Sequence, residues 1–369
     1  MKRNKIIWIC VAICLLACVL VGVLLFGGNE KEKEEVKDTK EAVILPEEPD
    51  TAGLEEGMVK SYLTGEPVAE EIGRRRPMAI TLNNIEVAVP QAGIANAGVV
   101  YEAPVEGGIT RLMGIFEDYD DLDKIGSVRS CRDYFIFYAL GFDAFYVHYG
   151  QAAYSLPYLE LENVNNINGM TSYGEEVFYR TTDRKAPHNA YTSFEGLQKG
   201  VEVNGYTQEY AADYEGHYQF AEAGESIELN GTPAAYVSPH YMVNNPWFEY
   251  NSEEELYYRF QYGGPQIDEL TNEQLAYKNI IMQYSQWQFY EDSTYLNIDT
   301  QSGGAGKYIT NGTAIDITWT KDSEWGVTHY FDAAGNEIKL NTGKTWVCII
   351  EDTSADQVEI TGGDTQVTE

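Results

Sequence analysis

Five short motifs between residues 72 and 193 concentrate charged, amide and glycine residues on short apolar stretches. They are RPMAITLNN (76–84), VVYEAPVEGGITR (99–111), KIGSVRSCRDYF (124–135), YVHYGQ (146–151) and YRTTDRKAPHNAY (179–191). Packing alone does not require so many Arg, Glu, His and Asn residues at strand ends and turns. The sequence therefore predicts a functional site in this region.

Arginines are the strongest chemical signal, because eight of the ten lie within residues 74–184 of a chain whose formal net charge is −33. Arg129 and Arg132 flank Ser130, which is predicted to cap a helix. A helix start supplies free N–H groups, and guanidinium forks bind phosphate or carboxylate through paired hydrogen bonds. This arrangement predicts an anion-binding site. The alternative is that these arginines pair with nearby carboxylates and stabilise the fold.

Two carboxylates, Glu102 and Glu106, lie on either side of a proline turn that precedes Gly107 and Gly108. Paired carboxylates can perform acid–base catalysis or bind a cation. Both are therefore catalytic candidates, as is His148 near the end of a predicted strand, where α/β sheets place their ligands. The alternative for both glutamates is an ion pair with one of the arginines.

The predicted ligand-binding residues come from the same motifs. The segment 183–189 holds four ionisable groups and lacks apolar periodicity, so it is predicted to be a loop that carries site residues. The full ligand-binding set is Arg111, Arg129, Arg132, His148, Arg184, His188 and Asn189. Asp183 and the two histidines lack a recognised metal-ligand spacing, so no metal site is predicted, and no cofactor is identifiable.

Several classes of protein are disfavoured by composition and motif. The chain has no G-x-S-x-G elbow, no P-loop, no H-E-x-x-H and no Rossmann glycine fingerprint. Its acidity argues against general nucleic-acid binding, because neutralising phosphates along a backbone requires many clustered Lys and Arg residues.

The candidate residues must be positioned by short strands and helices. Apolar stretches predict strands at 78–82, 98–102 and 109–116, a helix at 131–140 and a further strand at 142–149. This mixture of strand and helix indicates an α/β (α+β) domain over residues 72–215.

A β-rich second domain is predicted for residues 225–357, followed by a polar tail at 358–369. Tyr and Trp recur in this domain, and short alternating runs are separated by Gly, Asn and Asp turns. The last three runs predict a β-meander. Cys131 and Cys348, the cysteines of the two domains, are predicted either to form a disulfide or to remain separate buried thiols.

The N-terminus is predicted to anchor the protein in a membrane. Residues 6–26 are uncharged and apolar, long enough to span a bilayer core, and follow three basic residues. Residues 1–27 are interpreted as a signal anchor that leaves the bulk of the chain extracytoplasmic. The alternative is a lipoprotein-type signal in which Cys18 is lipidated. Residues 28–71 are acidic and poor in aromatics, and predict a disordered tether.

The motifs resemble those of the YerB-like lipoproteins of Gram-positive bacteria, a two-domain family of unknown function. The resemblance rests on RPMAITLNN, PQAGIANAGVVYEAPVEGGITR, KIGSVRSCRDYF and RKAPHNAY in the first domain. In the second domain it rests on YYRFQYGGPQID, GGAGKY and FDAAGNEIKLNTGKTWV. It implies a two-domain envelope protein held at the membrane, and it implies no activity. The apolar residues that continue after Cys18 depart from a lipoprotein pattern and favour the simple anchor.

Three functional hypotheses follow from these patterns. The first is a membrane-anchored extracytoplasmic protein that binds an anionic or carbohydrate-like ligand of the cell envelope or cell wall. The second is an envelope hydrolase or transferase that uses the Glu, His and Arg candidates. The third is a structural or regulatory partner of another envelope protein.

Overall fold

The computed structural model describes residues 54–222, 224–291 and 293–362, which belong to one compact unit. The predicted signal anchor with Cys18 and most of the predicted tether lie outside the described residues. Within the described ranges, no helix is both long and apolar enough to cross a membrane.

The described part of the chain up to residue 204 contains ten strands and five short α-helices. The strands are Met58–Lys60 (β1), Pro67–Ala69 (β2), Met78–Asn83 (β3), Val99–Pro104 (β4), Thr110–Phe116 (β5), Ile125–Gly126 (β6), Phe145–His148 (β7), Asn166–Asn168 (β8), Phe178–Arg180 (β9) and Ala190–Thr192 (β10). The helices are Glu70–Gly73 (α1), Asp133–Leu140 (α2), Leu156–Leu159 (α3), Gly174–Val177 (α4) and Phe194–Asn204 (α5).

The described residues after 204 form strands without further α-helices. They are Gln219–Phe220 (β11), Thr232–Pro233 (β12), Tyr236–Ser238 (β13), Trp247–Asn251 (β14), Leu256–Gln261 (β15), Gly264–Pro265 (β16), Ala276–Tyr277 (β17), Asn279–Ser285 (β18), Trp287–Phe289 (β19), Leu296–Ile298 (β20), Gly304–Thr310 (β21), Thr313–Lys321 (β22), Thr328–Phe331 (β23), Lys339–Leu340 (β24), Thr345–Glu351 (β25) and Glu359–Thr361 (β26).

One mixed sheet of eleven strands runs through both predicted domains. Its order is β12-β22-β21-β18-β25-β4-β5-β3-β7-β8, with β23 paired to β22. Strand β25 lies parallel to β4, with Val99 opposite Thr345. The two predicted domains, mixed α/β first and β-rich second, are therefore joined by one continuous hydrogen-bonded sheet.

The central strands are buried on both faces, which explains why their sequences are near-continuous apolar runs. Every residue of β3 and of β5 is buried. One face packs against α2 through Tyr134, Phe135 and Ile136. The opposite face packs against α5 through Leu197 and Val201. The two cores hold the strand ends rigidly, and the candidate site lies at those ends.

The N-terminal boundary of the folded part differs from the prediction. The predicted tether over 28–71 is wrong from residue 54 onwards, because β1 and β2 pair as an antiparallel hairpin. Val59 and Leu63 of this segment are buried in the core. Acidic composition misled the prediction, since a few well-placed apolar side chains suffice to dock a hairpin.

Two features of the β-rich part also differ from prediction. The last three runs do not form a meander, because β23 pairs with β22, β24 pairs in parallel with β11, and β25 lies between β18 and β4. Part of the predicted polar tail is strand β26, which pairs with β13 and packs Ile360 against the core. Cys131 and Cys348 are both buried free thiols.

Candidate functional site

The carboxyl ends of three adjacent strands form the edge on which the candidate site is built. Strands β3, β7 and β8 are parallel neighbours, so their last residues, Asn83, His148 and Asn168, lie along the same edge of the sheet. Open α/β sheets place ligands at this edge, because the strands end there and loops begin.

An extended segment, residues 127–131, crosses this edge. The backbone N–H of Arg129 donates to the Thr81 carbonyl at 2.9 Å, and the Arg129 carbonyl accepts from the N–H of Tyr149 at 2.9 Å. This pairing keeps the segment extended, so α2 begins only at Asp133, with Arg132 at its N-cap. The prediction that Ser130 caps the helix is therefore wrong, and the Ser130 hydroxyl instead donates to the Tyr149 carbonyl at 3.2 Å.

Arg111 is the most deeply buried of the predicted ligand-binding arginines. The β3–β5 register places it opposite Asn83, and only 4% of its surface is exposed. Its Nη1 donates to the Ser130 carbonyl at 2.7 Å. Burial, followed by the charges of Arg132 and Arg129, lowers the pKa of Arg111 to about 10. It remains charged at neutral pH.

Arg129 lies beside Arg111 and is half-buried. Its Nη1 donates to the Pro187 carbonyl at 3.1 Å and to Nδ1 of His188 at 3.3 Å. Its buried Nε has no hydrogen-bond partner among the described residues. Burial lowers the pKa of Arg129, and the charges of Arg132 and Arg180 lower it further. Arg129 thus contributes an unmatched donor and an uncompensated charge.

Arg132 differs from its neighbours because it has a carboxylate partner. Its Nε and Nη2 each donate to Glu106 at 2.6 Å, in the bidentate geometry that guanidinium and carboxylate favour. Its guanidinium also lies 4.9 Å from the centre of the Tyr295 ring. Tyr295 belongs to the β19–β20 hairpin region, so the β-rich part of the chain covers one side of the site.

Arg180 was not among the predicted site residues, yet its charge lowers the pKa of Arg129. It is an exposed residue at the end of β9, and its Nη1 donates to Oδ1 of Asn189 at 2.8 Å. Its guanidinium lies 4.6 Å from the centre of the Tyr149 ring. Asn189 therefore has a positioning role, because it holds Arg180 over the sheet edge.

These four residues form what is here termed the arginine cluster: Arg111, Arg129, Arg132 and Arg180. Among the described residues, Glu106 is the one carboxylate that forms an ion pair with any of them. Asp133, next along the chain, is hydrogen-bonded to the hydroxyl of Tyr290. Four guanidinium groups against one paired carboxylate give a strongly positive site in an otherwise acidic protein.

His188 completes the wall of the cluster. Its Nδ1 lies 2.8 Å from Nδ2 of Asn83 as well as near Arg129. A guanidinium can only donate, so Nδ1 accepts and the neutral ring carries its proton on Nε2. Burial and then the charge of Arg129 lower the pKa of His188. The neutral ring orients Arg129 without adding charge.

Two of the predicted ligand-binding residues lie outside the cluster. His148 is fully buried, with Nδ1 2.8 Å from the Gly150 carbonyl, and burial lowers its pKa to about 4. Arg184 donates to the Ala88 and Pro90 carbonyls and to the hydroxyl of Tyr191. The polar groups of both side chains form hydrogen bonds within the protein, so neither side chain is available to a ligand.

Glu102 is the centre of a buried polar network. It forms a 2.5 Å ion pair with Arg259 in which both side chains are 0% exposed. Its other oxygen accepts hydrogen bonds from Asn84, Thr110 and Asn244. A carboxylate with four donors and no access cannot act on a substrate. Of the two predicted catalytic glutamates, only Glu106 lies at the cluster.

Other candidate sites are less specific. A groove of about 830 Å³ is lined by residues that include Glu255, Glu273 and Lys278, but its Lys278 is already paired with Glu255 at 2.7 Å. In the described ranges, no group of three or more His, Cys, Asp and Glu side chains is arranged to hold a metal ion. The arginine cluster is the better candidate, because Arg132 is its one member that forms an ion pair with a described carboxylate.

The fold and the site define a two-domain protein with mixed sheets, a β-rich C-terminal part and an arginine-lined sheet edge. The chain belongs to the family described as protein of unknown function (DUF3048). Residues 63–207 match the N-terminal domain of that family and residues 237–347 match its C-terminal domain.

Two comparisons with YerB of Bacillus subtilis confirm the resemblance seen in the motifs. The chain is 30% identical over 316 residues to "Putative lipoprotein YerB" of strain 168, covering 83% of this chain and 89% of that protein. It is also similar to the crystal structure of the YerB protein, with a TM-score of 0.73 and 28% identity, covering 82% of this chain and 99% of that one.

Proposed function

We propose that this protein is anchored in the cell membrane by residues 6–26 and binds an anionic cell-envelope ligand outside the cytoplasm. The ligand carries a phosphate-type group, and the arginine cluster binds it. The observation that carries this proposal is Arg111, a buried guanidinium on which the charges of Arg129 and Arg132 act and which forms an ion pair with no carboxylate of the described residues.

Electrostatics supports this proposal. Bringing like charges together away from water raises the free energy of the unliganded protein, and the lowered pKa values of Arg111 and Arg129 reflect that strain. A bound anion relieves it. Each charge-assisted hydrogen bond to the anion contributes about 1.5–3 kcal/mol. Guanidinium forks suit tetrahedral oxyanions, because each fork donates two parallel hydrogen bonds.

The proposed location rests on the sequence of the N-terminus and on the relative. The uncharged run 6–26 has the length of a bilayer span and follows three basic residues. The relative carries the name "Putative lipoprotein YerB". Lipidation of Cys18 is therefore the alternative form of the same anchorage. In both forms the folded part is outside the cytoplasm.

Calorimetric titration with inorganic phosphate tests the binding proposal. The fragment 54–369 is suitable, because the described residues form one compact unit and YerB crystallised as a chain that matches 82% of this one. We expect the parent fragment to bind phosphate and Arg129→Ala to bind it at least tenfold more weakly. Lys185→Ala is the matched control, since it removes an exposed positive charge from the loop whose Pro187 and His188 contact Arg129. Equal losses in both variants would indicate nonspecific attraction and contradict the proposal.

A further inference from the structure

Exposed apolar side chains border the arginine cluster. Met170, which follows β8, is 66% exposed. Its Cγ lies 3.7 Å from the position that a Cβ atom would occupy on Gly150. The Ser130 hydroxyl lies 3.4 Å from the same position. Met170 therefore stands directly beside the segment that carries Arg129.

A second apolar pair borders the cluster on the side of Glu106. Met242 is 78% exposed and Val243 is 45% exposed. A Val243 methyl lies 3.8 Å from the point where a side chain at Gly108 would begin. Gly108 ends the short 3-10 turn that starts at Glu106, the partner of Arg132. Exposed Met170 thus lies beside the segment of Arg129, and Val243, with its exposed chain neighbour Met242, lies beside the turn that begins at Glu106.

We infer that the phosphate bound by the arginine cluster is the headgroup of a membrane lipid, with Met170 and Met242 contacting its apolar part. This inference rests on the proposed function. A small soluble anion would use the guanidinium groups alone and would leave both methionines in water. A lipid headgroup uses both features, because interfacial binding combines buried apolar area with attraction between cationic side chains and anionic lipid. Methionine is adaptable enough to contact mobile acyl chains.

The charge distribution favours the same orientation. A protein with a net charge of −33 is repelled by an anionic surface, so it can approach such a membrane only through a locally cationic face. The chain between the proposed span and Leu54 reaches at most about 100 Å when extended. That limit keeps the folded part near the membrane and lets the cluster face meet it.

Vesicle sedimentation with the fragment 54–369 tests the inference. The vesicles contain phosphatidylcholine alone or phosphatidylcholine mixed with phosphatidylglycerol, and soluble glycerol phosphate is titrated separately by calorimetry. We expect the parent to bind the phosphatidylglycerol vesicles at least tenfold more tightly than glycerol phosphate. The double variant Met170→Ser/Met242→Ser should lose about tenfold in vesicle affinity, because it removes the apolar contact. Its affinity for glycerol phosphate should not change.

Controls separate the inference from the proposed function. Leu270→Ser removes another exposed apolar side chain (45% exposed) and should leave vesicle binding unchanged. If the double methionine variant binds vesicles and glycerol phosphate as tightly as the parent does, the lipid inference is overturned. The proposed anion site would then remain supported. Absence of glycerol phosphate and inorganic phosphate binding in the parent would refute the proposed function itself, and the lipid inference with it.

Discussion

Glu102 and Arg259 form an ion pair in which both side chains are fully buried, although they lie 157 residues apart in the sequence. The pair links β4 of the first domain to β15 of the second. The Arg259 guanidinium also lies over the rings of Phe248 and Trp346, at 4.7 and 4.5 Å from their centres. Together with the shared sheet, it makes the two domains one structural unit.

This pair predicts a large loss of stability when one partner is removed. Arg259→Met should lower the free energy of unfolding by about 3–5 kcal/mol, because it leaves the Glu102 carboxylate buried without a cation. The double variant Glu102→Gln/Arg259→Met should lose less, since it removes both charges. Urea unfolding measures both values. A single variant within about 1 kcal/mol of the parent would contradict the structural role.

We predict that the protein loses stability in acid, because it contains buried histidines. Burial lowers the pKa of His217 to about 3, whereas the unfolded residue titrates near its ordinary value of about 6.5. Between these two pKa values, His217 is protonated in the unfolded state and neutral in the folded state. The free energy of unfolding therefore falls as the pH decreases from about 6.5 to about 3. The slope for one such histidine approaches about 1.4 kcal/mol per pH unit.

The His217 prediction is checked by comparing pH profiles rather than absolute stabilities. His217→Gln should flatten the dependence of the unfolding free energy on pH in this window, whatever its stability at neutral pH. An unchanged slope would mean that His217 titrates normally in the folded protein. His148, whose pKa burial lowers to about 4, remains in the variant and contributes to the residual slope.

For Glu117 we predict the opposite dependence of the unfolding free energy on pH. Its carboxyl group is buried and hydrogen-bonded to the hydroxyl of Ser61 in the N-terminal hairpin. Burial raises the pKa of Glu117 to about 7 from an ordinary 4.5. The stability from this group is fully present below about 4.5 and is lost as the pH rises through 7. Glu117→Gln should therefore stabilise the protein more at pH 8 than at pH 5, by as much as about 3 kcal/mol. Thermal melts at the two pH values measure the difference, and equal effects would refute the prediction.

The central strands were predictable from sequence, because burial on both faces leaves a continuous apolar signature. The predicted strand at 78–82 corresponds to β3 (Met78–Asn83). The position of polar residues at strand ends was also predictable, since β3 ends at Asn83 and β7 ends at His148. The helix start was not, because pairing of residues 127–131 with the sheet edge is a tertiary effect that local capping rules do not describe.

The individual site residues were harder to predict. Arg180 and Arg184 occur in the same motif, yet the charge of Arg180 lowers the pKa of Arg129, whereas Arg184 donates to backbone carbonyls. Nothing in their spacing distinguishes them. Likewise Glu102 and Glu106 look equivalent in sequence, but the partner that buries Glu102 lies in the other domain. Sequence patterns locate polar residues, and only the fold shows which of their charges are compensated.

We predict that a positive charge at position 129 is not sufficient for phosphate binding, because the guanidinium of Arg129 can donate two parallel hydrogen bonds. Arg129→Lys keeps the positive charge and loses the bidentate fork, so phosphate affinity should fall about tenfold or more. The melting temperature should change little, because Arg129 has no carboxylate partner among the described residues. Calorimetry and thermal melts of the fragment 54–369 give both quantities. Unchanged affinity would show that Arg129 does not contact the anion directly.

The central claim is that Arg111, Arg129 and Arg180 converge on one bound anion. Crystals of the fragment 54–369 soaked in tungstate, a heavy tetrahedral oxyanion, test this most directly through anomalous scattering. We predict a peak within hydrogen-bond distance of Arg129 and at least one of the other two arginines, abolished in crystals of Arg129→Ala. A structure in which these arginines lie apart or pair with carboxylates, with no anion between them at tungstate concentrations that saturate binding in solution, would contradict the claim.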